Sequence, residues 1–210
     1  FPGSRRWAGD AVVPAGYAVD LRVDLPAGAT CDAIAPAHLV AFTWEAGERT
    51  GTSELVPDDP FELLDRLHDE ACLVTRVDAV VRLTASTLIG PASYPAPADL
   101  VIEVGPTGQP GTVTVDAIRS TTLLNPAGPD GVGASELPLG IELGPDGPRE
   151  LRVPLVPNRC DAHAIAEDKI GTRMPLTVTT DDGVTGRYVL DADDELRAAM
   201  YAFYSAYCGL

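Results

Sequence analysis

Along most of the chain, apolar and polar residues alternate with a period of two in short runs. These runs are YAVDLRVDL (17–25), RVDAVVRLTA (76–85), DLVIEVG (99–105), TVTVDAI (112–118), LPLGIEL (137–143), RELRVPL (149–155), PLTVTT (175–180) and GRYVL (186–190). A period of two puts successive side chains on opposite faces of a pleated strand, so each run predicts a strand with one face buried. The segments between them, such as GPTGQPG, NPAGPDGVG, GPDGPR and DDG, hold the Gly, Pro, Asn and Asp residues that tight connections require. Strands this short and closely spaced, without helices between them, predict antiparallel β-sandwiches of immunoglobulin-like type.

Two segments follow the helical period instead. In DDPFELLDRLHDEACL (58–73), Asp59 is the expected N-cap, Pro60 the first helical residue and Glu62 the partner in a capping box. Phe61, Leu64 and Leu67 or His68 then share one buried face. In DDELRAAMYAFYSAYCGL (193–210), Asp191 or Asp193 caps, and Leu196, Met200, Phe203 and Tyr207 form an apolar stripe that packs on a sheet.

The order of these elements recurs. LRVDLPAGATCDAIA (21–35) parallels LRVPLVPNRCDAHAIA (151–166), and a hairpin at 42–55 parallels one at 176–190. Both copies then carry a helix that opens on two aspartates and closes on a cysteine. The recurrence predicts two copies of one domain, residues 1–73 and 74–210, each a sandwich with a C-terminal helix. The first copy has only twenty residues ahead of its Leu-Arg-Val strand and is expected to be short of N-terminal strands. The chain is mainly β on this reading.

The cysteines at 31, 72, 160 and 208 lack C-x-x-C spacing, which removes the zinc-ribbon and thioredoxin patterns. Four cysteines allow three pairings, and the repeat selects Cys31–Cys72 and Cys160–Cys208, each joining a bend to its closing helix. A bridge across a loop of roughly 40–50 residues contributes about 4 kcal/mol by restricting the unfolded chain. Stable disulfides form in oxidising compartments, so the protein is expected to be secreted or to sit on the outer face of a membrane.

Composition narrows the partners. The net charge of −16 argues against nucleic acid, whose binding rests on Lys and Arg neutralising phosphates. The charge is spread evenly along the chain, so no basic half is hidden. No apolar run of membrane-spanning length exists, so no transmembrane segment is expected. No n-region or h-region opens the sequence at Phe1, as expected after removal of a signal peptide or for a shortened chain. One lysine, Lys169, stands against 14 arginines, the codon signature of a GC-rich genome.

Chemistry concentrates in NRCDAHAIAEDK (158–169), where Cys160, Asp161, His163, Glu167, Asp168 and Lys169 crowd together. Asp161 follows a cysteine in both copies, as Asp32 does, and a shared Asp at a bend most simply accepts backbone amides. His163 and Glu167 stand four apart and could share one face of a short helix and a divalent metal. No second histidine or cysteine pair lies nearby to complete a zinc set, since His38 and His68 belong to the other copy. The expected state of this stretch is a surface turn, with Asp161, His163, Glu167 and Asp168 as the metal alternative. Serine-hydrolase elbows, phosphate loops and EF-hand spacing are absent from the sequence.

RCDAHAIAEDK, followed by a hairpin and a helix ending in cysteine, with LLDRLHDEAC upstream, resembles an uncharacterised group of secreted or lipid-anchored actinobacterial proteins. Arg159, Cys160, Asp161, His163, Glu167 and Lys169 carry the likeness, which implies location and architecture and transfers no catalytic residue. The expected function is a non-enzymatic extracytoplasmic binding or cell-envelope scaffold protein without a cofactor, with another envelope protein as its partner. The alternative is a metal-binding protein or metal-dependent hydrolase. Trp7, Trp44 and Tyr94 are expected in the core; exposed, they would mark a partner surface.

Overall fold

A computed structural model describes residues 11–20, 31, 39–166 and 168–210. The chain divides into two units, Phe1–Thr75 and Arg76–Leu210. The division falls inside one helix, α1 (Leu63–Val80). Antiparallel sheets dominate both the count of elements and the pairing.

The first unit carries a hairpin of β1 (Val40–Ala46) and β2 (Arg49–Leu55), paired from Val40↔Leu55 to Ala46↔Arg49. Gly47, at φ +64°, makes the turn in a left-handed conformation that a side chain would resist. Trp44 lies over its cross-strand partner Gly51 and donates its indole N–H to Ser53 Oγ at 3.0 Å. Val40, Phe42 and Trp44 share one face by the strand period, and all three remain more than a third exposed. The predicted strand at 17–25 is not found over residues 17–20, and its remainder lies outside the described residues, as do Trp7, Asp32 and His38.

Helix α1 departs from expectation at both ends. Asp59 does cap, its Oδ2 accepting the Leu64 N–H at 2.7 Å, but the capping box does not form. Glu62 sits at φ +52°, so the helix opens at Leu63, and Phe61 points to solvent instead of joining the buried face. At the other end the helix runs past Cys72 to Val80 and takes up residues predicted as strand. Leu73 and Val77 continue the helical stripe as buried residues, which overrides the β-propensity of the VDAVV run. Thr107 closes the last turn: its N–H donates to the Val80 carbonyl at 3.0 Å and its hydroxyl to that of Ala79 at 2.5 Å. The helix therefore does not terminate the first unit at its cysteine.

Among the described residues, the second unit holds eight strands in two four-stranded sheets. One has the order β3-β4-β8-β6, from β3 (Val81–Ile89), β4 (Ala98–Pro106), β8 (Glu150–Pro157) and β6 (Leu124–Pro126). The other has the order β10-β9-β5-β7, from β10 (Thr185–Leu190), β9 (Met174–Thr180), β5 (Val113–Arg119) and β7 (Glu136–Leu143). The sheets are sandwich-like. Leu100, Ile102 and Val104 of β4, Leu151, Val153 and Leu155 of β8, and Leu176 and Val178 of β9 are buried at alternate positions. Truncating one such leucine to alanine costs about 2–5 kcal/mol. The edge strand β7 carries Pro138, Glu136 and Glu142 on its exposed positions, and the ladder slips a register at Val115/Ala117 of β5. Proline, charge and a bulge are the devices that keep an edge from recruiting another strand.

Helix α3 (Asp194–Cys208) closes the unit. Asp193, not Asp191, is its N-cap, accepting the Leu196 N–H at 2.8 Å. Gly209, at φ +68°, ends it as a left-handed cap. Leu196, Met200 and Phe203 are buried as the stripe predicts, but Tyr204 is fully buried while Tyr207 is only half-buried. Both predicted disulfides are formed, Cys31–Cys72 and Cys160–Cys208, with Cα atoms 5.4 and 5.3 Å apart, and together they use all four cysteines.

Candidate functional site

The stretch 158–169 links β8 to β9 and contains a five-residue helix, α2 (Ala162–Ala166). Asp161 opens that helix, its Oδ1 accepting the His163 N–H at 2.9 Å in an Asx turn. The Asp161 N–H in turn donates to the Tyr204 hydroxyl at 3.0 Å, and that hydroxyl donates to the Arg159 carbonyl. A buried phenol on α3 therefore ties down the backbone on both sides of Cys160.

His163 projects to solvent from the first turn of α2. Asp168, past the end of α2, is half-buried and collects donors from three places. Its Oδ1 accepts the Gly171 N–H at 2.6 Å and the Thr122 hydroxyl at 3.1 Å, and its Oδ2 accepts the Tyr201 hydroxyl at 2.9 Å. That carboxylate pins the β5–β6 loop, the turn before β9 and the middle of α3 to one point. The Glu167 side chain lies outside the described residues. The sequence cluster is thus divided: Asp161 and Asp168 serve the frame, and the His163 side chain is exposed. Among the described residues, no three His, Cys, Asp or Glu side chains converge in a group that could hold a metal ion.

Beside Asp168 lies a cavity of about 340 Å³ that sequence reading misses. Lys169, Arg173 and Arg197 line it together with Thr172, Asp191 and Tyr201. The turn after α2 supplies Lys169, Thr172 and Arg173, the end of β10 supplies Asp191, and α3 supplies Arg197 and Tyr201. Arg173 pairs with Asp191, its Nη2 standing 3.5 Å from Oδ2, and Arg197 pairs with Asp194 at 3.3 Å. The Tyr201 phenol is held protonated above its ordinary range, first by partial desolvation and then by its bond to Asp168. The only hint in the sequence was Lys169 as the single lysine; residues 28 to 32 positions further on, Arg197 and Tyr201, carry no local signal linking them to it.

Two of the aromatic residues expected in the core, Trp44 and Tyr94, are placed otherwise. Trp44 and Tyr94 are both more than a third exposed, and the Tyr94 ring lies 6.2 Å from that of Phe203, which packs edge-on against Tyr207 at 5.7 Å. Among the described residues, no helix is long and apolar enough to cross a membrane.

No protein-family model matches the chain, and no curated protein or solved structure is significantly similar to it.

Proposed function

We propose that the chain is a non-enzymatic binding or scaffold protein of the cell envelope, secreted or held on the outer face of a membrane. The observation that carries this reading is that all four cysteines are used in two disulfides, each fixing a bend against a helix. Such bonds persist in oxidising compartments and are reduced in the cytosol. The division of the His/Asp cluster supports the non-enzymatic part, because Asp161 and Asp168 are engaged as acceptors that hold the backbone.

The finer architectural reading is a pair of tandem immunoglobulin-like domains. In the second unit the orders β3-β4-β8 and β10-β9-β5-β7 match the A-B-E and G-F-C-C′ orders of that topology, with β6 as a short addition. Kinship with secreted or lipid-anchored actinobacterial proteins belongs to the same proposal, as does a protein partner in the envelope.

Cell fractionation combined with thiol alkylation tests it. The chain is expected in the secreted or membrane-surface fraction, with all four cysteines protected from alkylation until a reductant is added. Recovery from the cytosol with alkylated cysteines overturns the proposal.

A further inference from the structure

The cavity between the α2–β9 turn and α3 has a composition at odds with the rest of the molecule. In a chain of net charge −16, the single lysine and two arginines line one hollow of about 340 Å³, where three cations meet two carboxylates, Asp168 and Asp191. That volume lies in the range of small-molecule sites.

The cations hold much of their donor capacity in reserve. Among the described residues Lys169 has no ion-pair partner. Arg197 pairs with Asp194, whose side chain is 97% exposed, and its Nη2 stands 3.5 Å from the Ala192 carbonyl, while Asp191 opposite Arg173 is 66% exposed. Ion pairs this exposed contribute little and yield to a better-placed anion. Asp168 is held in place by three neutral donors, Gly171, Thr122 and Tyr201, and keeps its charge, so with Asp191 it balances two of the three cations and leaves one in excess.

A second observation also points to a ligand. Thr172 is 5% exposed, and its hydroxyl has no hydrogen-bond partner among the described residues while not being sealed from solvent. It lines this cavity. A nearly buried hydroxyl usually finds a partner, and one without a protein partner in the wall of a hollow is free to donate to a bound acceptor.

We propose that this cavity binds the oxyanion group, carboxylate or phosphate, of a small polar molecule. Lys169 and Arg197 supply the charge, Arg173 a further guanidinium donor, and Thr172 a neutral hydrogen bond from the wall. Arginine suits the planar, two-oxygen edge of such a group, and the fixed charges need no rearrangement of the frame. The inference uses only the geometry of the hollow and stands apart from the envelope reading, so either can fail alone.

The test is titration of the folded, disulfide-intact chain at low ionic strength with inorganic phosphate and, separately, with malonate, followed by amide NMR shifts. Saturable shifts at residues 169–173 and 191–201 are expected with at least one probe, and which probe binds identifies the source of the oxyanion. Lys169→Ala and Arg197→Ala should each weaken that binding by about tenfold, the loss of one charge-assisted hydrogen bond. Thr172→Val should weaken it by a smaller factor without changing the net charge, and Arg152→Ala, on the exposed surface of β8, should leave it unchanged. Absence of saturation with both probes up to about 10 mM, a free energy near −2.7 kcal/mol, overturns the proposal. So does an equal loss in Arg152→Ala, which would mean diffuse attraction to any cation.

Discussion

The backbone N–H of Asp161 donates to the Tyr204 hydroxyl at 3.0 Å, one residue along from Cys160, whose disulfide partner Cys208 lies one helical turn beyond Tyr204. The same bend is thus held twice by α3, once through sulfur and once through a phenol. Tyr204→Phe keeps the ring and its packing but leaves a part-buried amide and the Arg159 carbonyl without the phenol as partner. A loss of about 1–3 kcal/mol is expected, read from the midpoint of urea unfolding; an unchanged midpoint would show that the phenol contributes nothing to the clamp.

The covalent half of that clamp is measurable separately. Replacing Cys160 and Cys208 together by alanine frees a loop whose ends are 48 residues apart in sequence. About 4 kcal/mol should be lost, which for a domain of this size lowers the thermal midpoint by roughly 8–16 °C. Scanning calorimetry of the double variant decides the point, and a shift below a few degrees would contradict the expectation.

Asp168 and His163 stand next to each other in the sequence reading but should behave oppositely. Asp168→Asn removes the charge that receives Gly171, Thr122 and Tyr201, with an expected cost of about 1–3 kcal/mol. His163→Ala alters an exposed side chain and should stay within about 0.5 kcal/mol. Parallel denaturant curves compare the two, and a large effect at His163 with none at Asp168 would reverse the assignment of frame and surface.

Alkaline pH provides a test of two phenols. Tyr188 donates to Asp78 Oδ1 at 2.8 Å, and desolvation followed by that carboxylate pushes its ionisation above the ordinary range, as partial burial and Asp168 do for Tyr201. A folded-state pKa raised above the unfolded value of about 10 means the folded chain holds its proton longer. The associated stability is complete below pH 10 and is lost as pH rises through the folded-state values. Unfolding free energy should therefore fall above pH 10, and Tyr188→Phe should flatten that decline. A decline of equal slope in the variant would exclude Tyr188 as its source.

In the hairpin, an added Cβ at Gly51 would stand 2.6 Å from Trp44 Cζ2, too close for the ring to stay. Gly51→Ala in a Trp7→Phe background should release Trp44 and its bond to Ser53, shifting the remaining tryptophan emission to longer wavelength. Unchanged emission would mean that the ring does not lie across the strand.

What could be read in the sequence was whatever is encoded locally. Alternation marked the strands at 81–85, 99–105, 113–118, 137–143, 150–155, 175–180 and 186–190, and the aspartate caps at Asp59 and Asp193 matched because a carboxylate satisfies amides within its own turn. The disulfide pairing followed from the order of elements around each cysteine. The extension of α1 to Val80 could not be read there, because burial of Leu73 and Val77 and the carbonyl contacts from Thr107 override a β-branched run. Nor could the role of Asp168: its carboxylate looked like a metal candidate until folding brought Thr122 and Tyr201, 46 and 33 residues away, to its two oxygens.

The chain's own pattern determined most of the segments that form strands and the aspartates that cap the helices, since these depend on neighbours along the backbone, and the repeated order of elements determined which cysteines are joined. Tertiary structure alone decided that Asp168 joins the β5–β6 loop to α3 and that three scattered cations line one hollow with Thr172. Charge and hydrogen bonding act across space within a few ångströms, and distance along the chain carries no record of that.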